Sequence, residues 1–315
     1  MTASPATPHP YDPLTPAEIE RAVAVIRASH AGLPAMRFPL VRLDLPAKEV
    51  VRQFPALRSP RSAFVVVYDR GTGATFEARV DLEAGTVTSW EHIPGVQPAI
   101  MIEEILALEE IVKNDPAAVG ALARHGVEDL SLLQIDPWST GTLPVEGVDS
   151  RRRIIRASAY VRTFKEDNGY ARPVGNLVFV IDCNTRSVAA IIEGDPIPLP
   201  PESGNYDEAS AGPLRDDLLP IEIIQPEGPS FTISGNVIEW QRWRLHAHID
   251  PVEGLVISDV SYLDGGRRRS ILHRAGIGEM VVPYGDTSED FYFRNVFDAG
   301  EYNLGKTVGS LTLGC

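Results

Sequence analysis

The sequence is short of cysteine, of cationic side chains and of long apolar runs, and each shortage closes off a class of protein. Two cysteines in 315 residues cannot build a disulfide framework and fit a reducing compartment. Twenty-nine Lys and Arg against 43 Asp and Glu leave a net charge of −14, which argues against a nucleic-acid partner, because neutralising phosphates needs clustered cations. A basic run, Arg151-Arg152-Arg153, opens an apolar stretch and reads as a solvated strand end. No segment approaches the ~20 apolar residues needed to cross a bilayer, so no membrane partner is expected. Met1 to Tyr11 lacks the basic and apolar regions of a secretory signal, and Pro5, Pro8, His9 and Pro10 suggest a loose leader. Together these absences predict a cytoplasmic location.

What is present is the composition of a folded chain, 43% hydrophobic and 23% charged, long enough for two or three domains. Thr15, Pro16 and Glu18 form a capping-box start, and Ile19, Ala22, Val23 and Ile26 follow at helical spacing toward Gly32. Met36 to Leu45 alternates as a strand, and Lys48 to Phe54 allows a short helix. The β-branched runs 63–69, 75–81 and 86–91, separated by tight-turn residues, predict an antiparallel meander. A second unit repeats that order. An amphipathic helix spans 100–113, a short helix spans 117–124 after Asp115-Pro116, and strands cover 154–164, 177–182 and 188–193. Comparing 64–69 with 178–182 suggests one helix-plus-meander fold used twice. The proline-rich passage from Asp195 to Pro213 is a linker or wrapping segment. Beyond it, strands are expected over 231–233, 237–248, 254–262, 270–274 and 279–283, reading as the start of a large sandwich whose partner strands are missing.

The residues by themselves leave the chemistry open. His246 and His248, at i and i+2, share a strand face that suits Zn or Cu, but no third ligand sits at an informative spacing. The competing reading is an exposed strand face carrying two histidines. Asp298, flanked by Val296, Phe297 and Ala299, is either a partly desolvated base or a loop carboxylate capping a turn. Cys183 follows an apolar strand and reads as packing. Nucleophile-elbow, P-loop and dinucleotide fingerprints are absent.

Longer ordered stretches point further. Gln225-Pro226-Glu227-Gly228-Pro229-Ser230-Phe231, Glu279-Met280-Val281-Val282-Pro283-Tyr284-Gly285-Asp286 and Phe297-Asp298-Ala299-Gly300-Glu301-Tyr302 resemble successive signatures of the copper-containing, topaquinone-dependent primary amine oxidases. Gly204-Asn205-Tyr206, Gly212-Pro213-Leu214-Arg215 and Trp240 with Trp243 are similar to the same family. The resemblance runs from Pro10 to Cys315 and implies an α+β chain: two small cystatin-like helix-plus-antiparallel-sheet domains followed by the first strands of a large β-sandwich. The implied domains are 1–97, 98–200 and 201–315, in a protein that is a homodimer when complete.

The implied reaction converts a primary amine, dioxygen and water to an aldehyde, ammonia and hydrogen peroxide through a Schiff base with topaquinone. By motif Asp298 is the general base, and Tyr284 positions the quinone. Val296, Tyr302, Ile105, Pro137, Trp138 and Tyr170 are the candidates for the substrate channel. Val296 stands where bacterial relatives often carry an aromatic gate, so a roomier channel is expected. The family's copper-binding His-x-His and its quinone-forming tyrosine fall in a segment beyond Cys315. This chain is therefore expected to carry no metal ligand, and Cu2+ and topaquinone are expected from a missing C-terminal catalytic segment. Asn205-Tyr206-Asp207 is only superficially similar to the quinone-forming sequence, and His246 with His248 lies outside the copper motif. The chain alone is expected to be inactive. The alternative is a truncated, non-catalytic interaction or binding protein.

Overall fold

The computed structural model describes residues 8–294 and 303–305, apart from residues 59, 140, 142, 150, 206, 207, 214, 279 and 283. The chain divides into two compact units. One comprises residues 1–98, 223–280 and 303–309, and the other residues 99–222, 281–302 and 310–315.

The first unit begins with the predicted helix, α1 (Pro16–Ser29), and its capping box is formed as expected. The Glu18 N–H donates to Thr15 Oγ1 at 3.3 Å, and the Thr15 N–H donates to Glu18 Oε2 at 2.8 Å. These bonds satisfy two of the amides that a helix start leaves unpaired. Arg61 reaches back to the same carboxylate. Strands β1 (Met36–Leu43), β2 (Ser62–Asp69), β3 (Ala74–Asp81) and β4 (Thr86–Ile93) form an antiparallel sheet in sequence order, with α2 (Lys48–Arg52) between β1 and β2. Ala22 and Ile26 of α1 pack on Ala63, Val65, Val67, Ala78 and Val80. Ile26 is fully covered, a burial worth roughly 1.5–3 kcal/mol.

The second unit carries three short helices, α3 (Ile102–Ile105), α4 (Leu108–Lys113) and α5 (Pro116–Arg124), over a second antiparallel sheet. Its strands are β5 (Leu133–Ser139), β6 (Ile154–Val161), β7 (Pro173–Asp182) and β8 (Ser187–Glu193), again in sequence order. Two expectations change here. The single helix over 100–113 is broken, because Glu104 folds back to accept the Met101 N–H at 2.9 Å and is held by Arg153, while Leu106 turns to solvent. β5 was not among the expected strands; Pro137 is accommodated because β5 is an edge strand. With β5 counted, both domains are four-stranded meanders, and β7 is the counterpart of β3 rather than of β2.

β6 and β7 are two-faced. Ile155, Ala157, Ala159 and Val161, with Leu177, Phe179 and Ile181, face the helices and join Leu108, Val112 and Leu122 in the main core, where Cys183 packs as expected. Arg156, Ser158, Tyr160 and Val178 fall on the opposite face by the period-two rule.

The chain after the proline-rich passage forms a third sheet within the first unit: β9 (Phe231–Ser234), β10 (Val237–Trp240), β11 (Trp243–Asp250), β12 (Gly254–Asp264) and β13 (Arg267–Ala275). The strand expected over 237–248 is a hairpin, turned at Gln241 with φ 56°. Residues 279 and 283 of the last expected strand lie outside the described residues. Ile233, Leu255 and Ile271 are exposed on this sheet, and β9 and β13 are its edges. Open edges beside apolar side chains favour pairing with another copy. Sedimentation velocity should show association that rises with concentration and falls in Ile271→Lys; a monomer at every concentration would refute this.

Candidate functional site

Residues 290–294, just after the motif that carries Tyr284, pack on the face of the second unit's sheet turned away from its helices. Phe293 is fully buried against Trp138 and Val178. The Arg156 guanidinium lies 4.9 Å from the Phe293 ring centroid and donates to the Tyr292 hydroxyl at 2.8 Å. Arg294 donates to Ser158 Oγ at 2.7 Å and covers Trp138 at 5.2 Å and Phe291 at 4.4 Å. Asp290 Oδ2 accepts the Asn176 N–H at 2.8 Å. The polar residues that alternate along β6 thus form a docking face, and the aromatic-rich run 291–294 occupies it.

Tyr284 is 47% exposed and meets Phe291 edge to face, with ring centroids 5.3 Å apart. Trp138 is brought beside the same stretch through Phe293 and Arg294. Tyr170 joins this side: its ring meets Tyr160 at 5.1 Å and its hydroxyl donates to Asp136 at 3.0 Å. Burial pushes the Tyr160 phenol up, against the pull of nearby Arg294. Pro137 is buried in β5 next to Trp138, on the alternate face by strand period. Ile105 packs against the helix-side core and is not brought to Tyr284. Asp298, Val296 and Tyr302 lie outside the described residues.

Arg156, Arg294, Phe291 and Phe293 were not singled out from the sequence. The available signal was the Arg156-x-Ser158-x-Tyr160 alternation inside an otherwise apolar strand, a polar face that demands an occupant.

The histidine pair is a different structure from either reading of it. In the first unit His246 and His248 are 1% and 7% exposed, so their strand face is covered, not solvated. The cover is the leader itself. His9 stacks on His246 with centroids 4.4 Å apart, Tyr11 is buried and donates to or accepts from His273 Nε2 at 2.8 Å, and Asp12 Oδ1 lies 2.9 Å from His246 Nε2. From His9 onward the leader is therefore fastened down. Burial alone would raise the Asp12 carboxyl, but hydrogen bonds from His246, Asn236 and the His9 amide outweigh it and hold it at about 2. Asp12 is then an ionised acceptor, so His246 donates through Nε2, while its Nδ1 faces Ser258 Oγ at 3.4 Å. Both nitrogens are engaged, which does not fit copper ligation. Among the described residues no group of three or more His, Cys, Asp or Glu is placed to hold a metal. Burial, then the neighbouring His246, lowers both His9 and His248 to about 4.

The second misjudged feature is the basic run. Arg151 is exposed beside Asp149, but Arg153 is buried, clasping Glu104 through Nε and Nη2 at 2.6 and 2.7 Å.

Comparison with known proteins gives this geometry a context. Residues 9–93 match the copper amine oxidase N2 domain, residues 103–210 the N3 domain, and residues 232–315 the enzyme domain. The chain is 41% identical over 309 residues to a primary amine oxidase of Arthrobacter sp. (strain P1), covering 98% of this chain and 47% of that protein. It is 39% identical over 353 residues to a peroxisomal copper-containing diamine oxidase of Nicotiana tabacum, covering 98% and 45%. Among solved structures, a copper-containing benzylamine oxidase from Hansenula polymorpha superposes with a TM-score of 0.82 at 26% identity, over 98% of this chain and 50% of that one. The chain spans about half the length of the curated relatives it matches. It has the two small α+β domains and the sheet that opens the catalytic domain, and it belongs to the copper amine oxidase family.

Proposed function

We propose that this chain is the N-terminal portion of a primary amine oxidase that uses Cu2+ and topaquinone to convert an amine, dioxygen and water to an aldehyde, ammonia and hydrogen peroxide. The observation that carries the reading is the docking of Phe293 and Arg294 onto the sheet face that bears Trp138, with Tyr284 set against the adjoining Phe291. In this reading the domains are 1–97, 98–200 and 201–315, the protein is a cytoplasmic homodimer, and its partner is a primary amine.

His246 has both ring nitrogens engaged and no third ligand is placed beside it among the described residues, so in this reading the remainder of the catalytic domain supplies the metal site and the quinone-forming tyrosine. When bound, the quinone supplies the electrophile and the two-electron acceptor. Tyr284 is exposed enough for its hydroxyl to reach a quinone oxygen, a bond that fixes the orientation of the ring. Asp298 removes the substrate's α-proton, a role that needs a carboxyl pKa brought toward the working pH by partial desolvation. Trp138 and Tyr170 supply the outer channel wall, with Ile105 and Pro137 behind it, and Val296 and Tyr302 line the inner pocket.

The test is direct. The 315-residue chain is expected to hold no stoichiometric copper and to release no peroxide from amines. Co-produced with the rest of the catalytic domain, it should gain copper, quinone absorbance and amine-dependent peroxide. Asp298→Ala should keep the first two and lose the third. Full activity in Asp298→Ala, or no quinone in the completed protein, would overturn the proposal.

A further inference from the structure

The motif fixes the identity of Tyr284 and Asp298 but says nothing about what holds them. In the structure Tyr284 is not itself seated in a core. Among the described residues the ring it meets is Phe291, edge to face, with an interplanar angle of 89°. Phe291 in turn lies 4.4 Å below the Arg294 guanidinium. Arg294 is fixed to the second unit's sheet by three contacts on β5 and β6: Ser158 Oγ at 2.7 Å, the Tyr160 hydroxyl at 3.4 Å, and the Trp138 ring at 5.2 Å. Phe293 is buried beneath, packed with Trp138 and Val178.

We infer that Arg294 and Phe291 are positioning residues for Tyr284, linked as Ser158–Arg294–Phe291–Tyr284, with the second small domain as the fixed base. The functional meaning rests on Tyr284 being the quinone-positioning tyrosine. The second small domain then sets the attitude of a catalytic-domain residue as well as lining the channel. A guanidinium suits the joint because one planar group can donate in its plane to Ser158 while presenting its faces to Trp138 and Phe291. Lysine can keep the charge over the ring but not the fork.

The inference is tested on the 315-residue chain, with 3-fluorotyrosine in place of tyrosine and fluorine NMR as the readout. Nine tyrosines give nine signals, and Tyr284→Phe assigns the relevant one. The Tyr284 signal should be displaced by the Phe291 ring current. Phe291→Leu and Arg294→Ala should both return it to the position of a solvent-exposed fluorotyrosine, whereas Arg294→Lys should keep part of the displacement. Amide exchange of β6 and β7 in the same samples reports whether the sheet is intact. If Arg294→Ala disrupts the sheet, Ser158→Ala decides the matter, with a smaller shift in the same direction expected. An unmoved Tyr284 signal on an intact sheet would overturn the inference. The experiment needs neither copper nor quinone, so its failure is distinct from failure of the oxidase reading, which peroxide release judges.

Discussion

Lowering the pH from about 6.5 to about 4 is expected to cost the first unit on the order of 3 kcal/mol of stability. His9 and His248 both fall from 6.5 to about 4 on folding, because burial and the adjacent His246 disfavour their charged forms. A depressed folded value means that acid protonates the unfolded chain first. The stability is whole above about 6.5 and drains away as the pH approaches 4. Each pKa unit is about 1.4 kcal/mol, but the two histidines share His246 and their repulsion should be counted once, so the pair supplies less than twice the single value. Asp250 and Asp12 oppose the shift at His248 while Arg274 reinforces it; at His9, Asp12 opposes and Arg244 reinforces. Asp12 adds a separate loss at lower pH: its folded value is about 2, so its contribution is complete above 3.8 and disappears as pH falls through 2. Amide exchange in β11 and β12, corrected for the intrinsic pH dependence of exchange, measures the loss locally. A His9→Asn/His248→Asn variant should flatten the slope between pH 6.5 and 4. An unchanged slope in that variant would refute the assignment.

That latch was illegible in the sequence for a definite reason. His246 and His248 were correctly placed on one strand face, since period two is local. Whether the face is covered depends on residues more than 230 positions away. A proline-rich leader carries no periodic signal, so His9, Tyr11 and Asp12 gave no warning of burial. The elements that were legible, α1 with its capping box and the tight turns between the strands of the first meander, are all set by contacts within a few residues. β5 was not foreseen; it carries Pro137, which only an edge position tolerates, and edge position is set by the sheet and not by neighbouring residues. The site divides in the same way. Tyr284 was legible from its motif, but the Ser158–Arg294–Phe291 support joins residues 136 positions apart.

The basic run Arg151-Arg152-Arg153 contains two opposite outcomes, and they can be separated by mutation. Arg153 and Glu104 are 4% and 1% exposed, joined by two parallel bonds at 2.6 and 2.7 Å. Glu104 Oε2 also accepts the Met101 amide, and Arg153 Nη2 donates to the Ala99 carbonyl at 3.0 Å, so the pair ties α3 and its approach to the start of β6. Such a pair gains little over a well-packed apolar substitute, because desolvating two ions offsets most of their attraction. Breaking it is another matter. Glu104→Ala leaves a guanidinium in a dry site without its carboxylate, and the expected cost is about 3–5 kcal/mol. Glu104→Leu/Arg153→Met should recover most of that loss, because neither charge remains to be solvated. Arg151→Ala, at an exposed pair with Asp149, should change stability by less than about 1 kcal/mol. The measurement is amide exchange in β6 and β7, which reports the second unit separately from the first. A loss below about 1 kcal/mol in Glu104→Ala, or a double variant no better than the single one, would show that packing around α3, rather than the ion pair, fixes the break between α3 and α4.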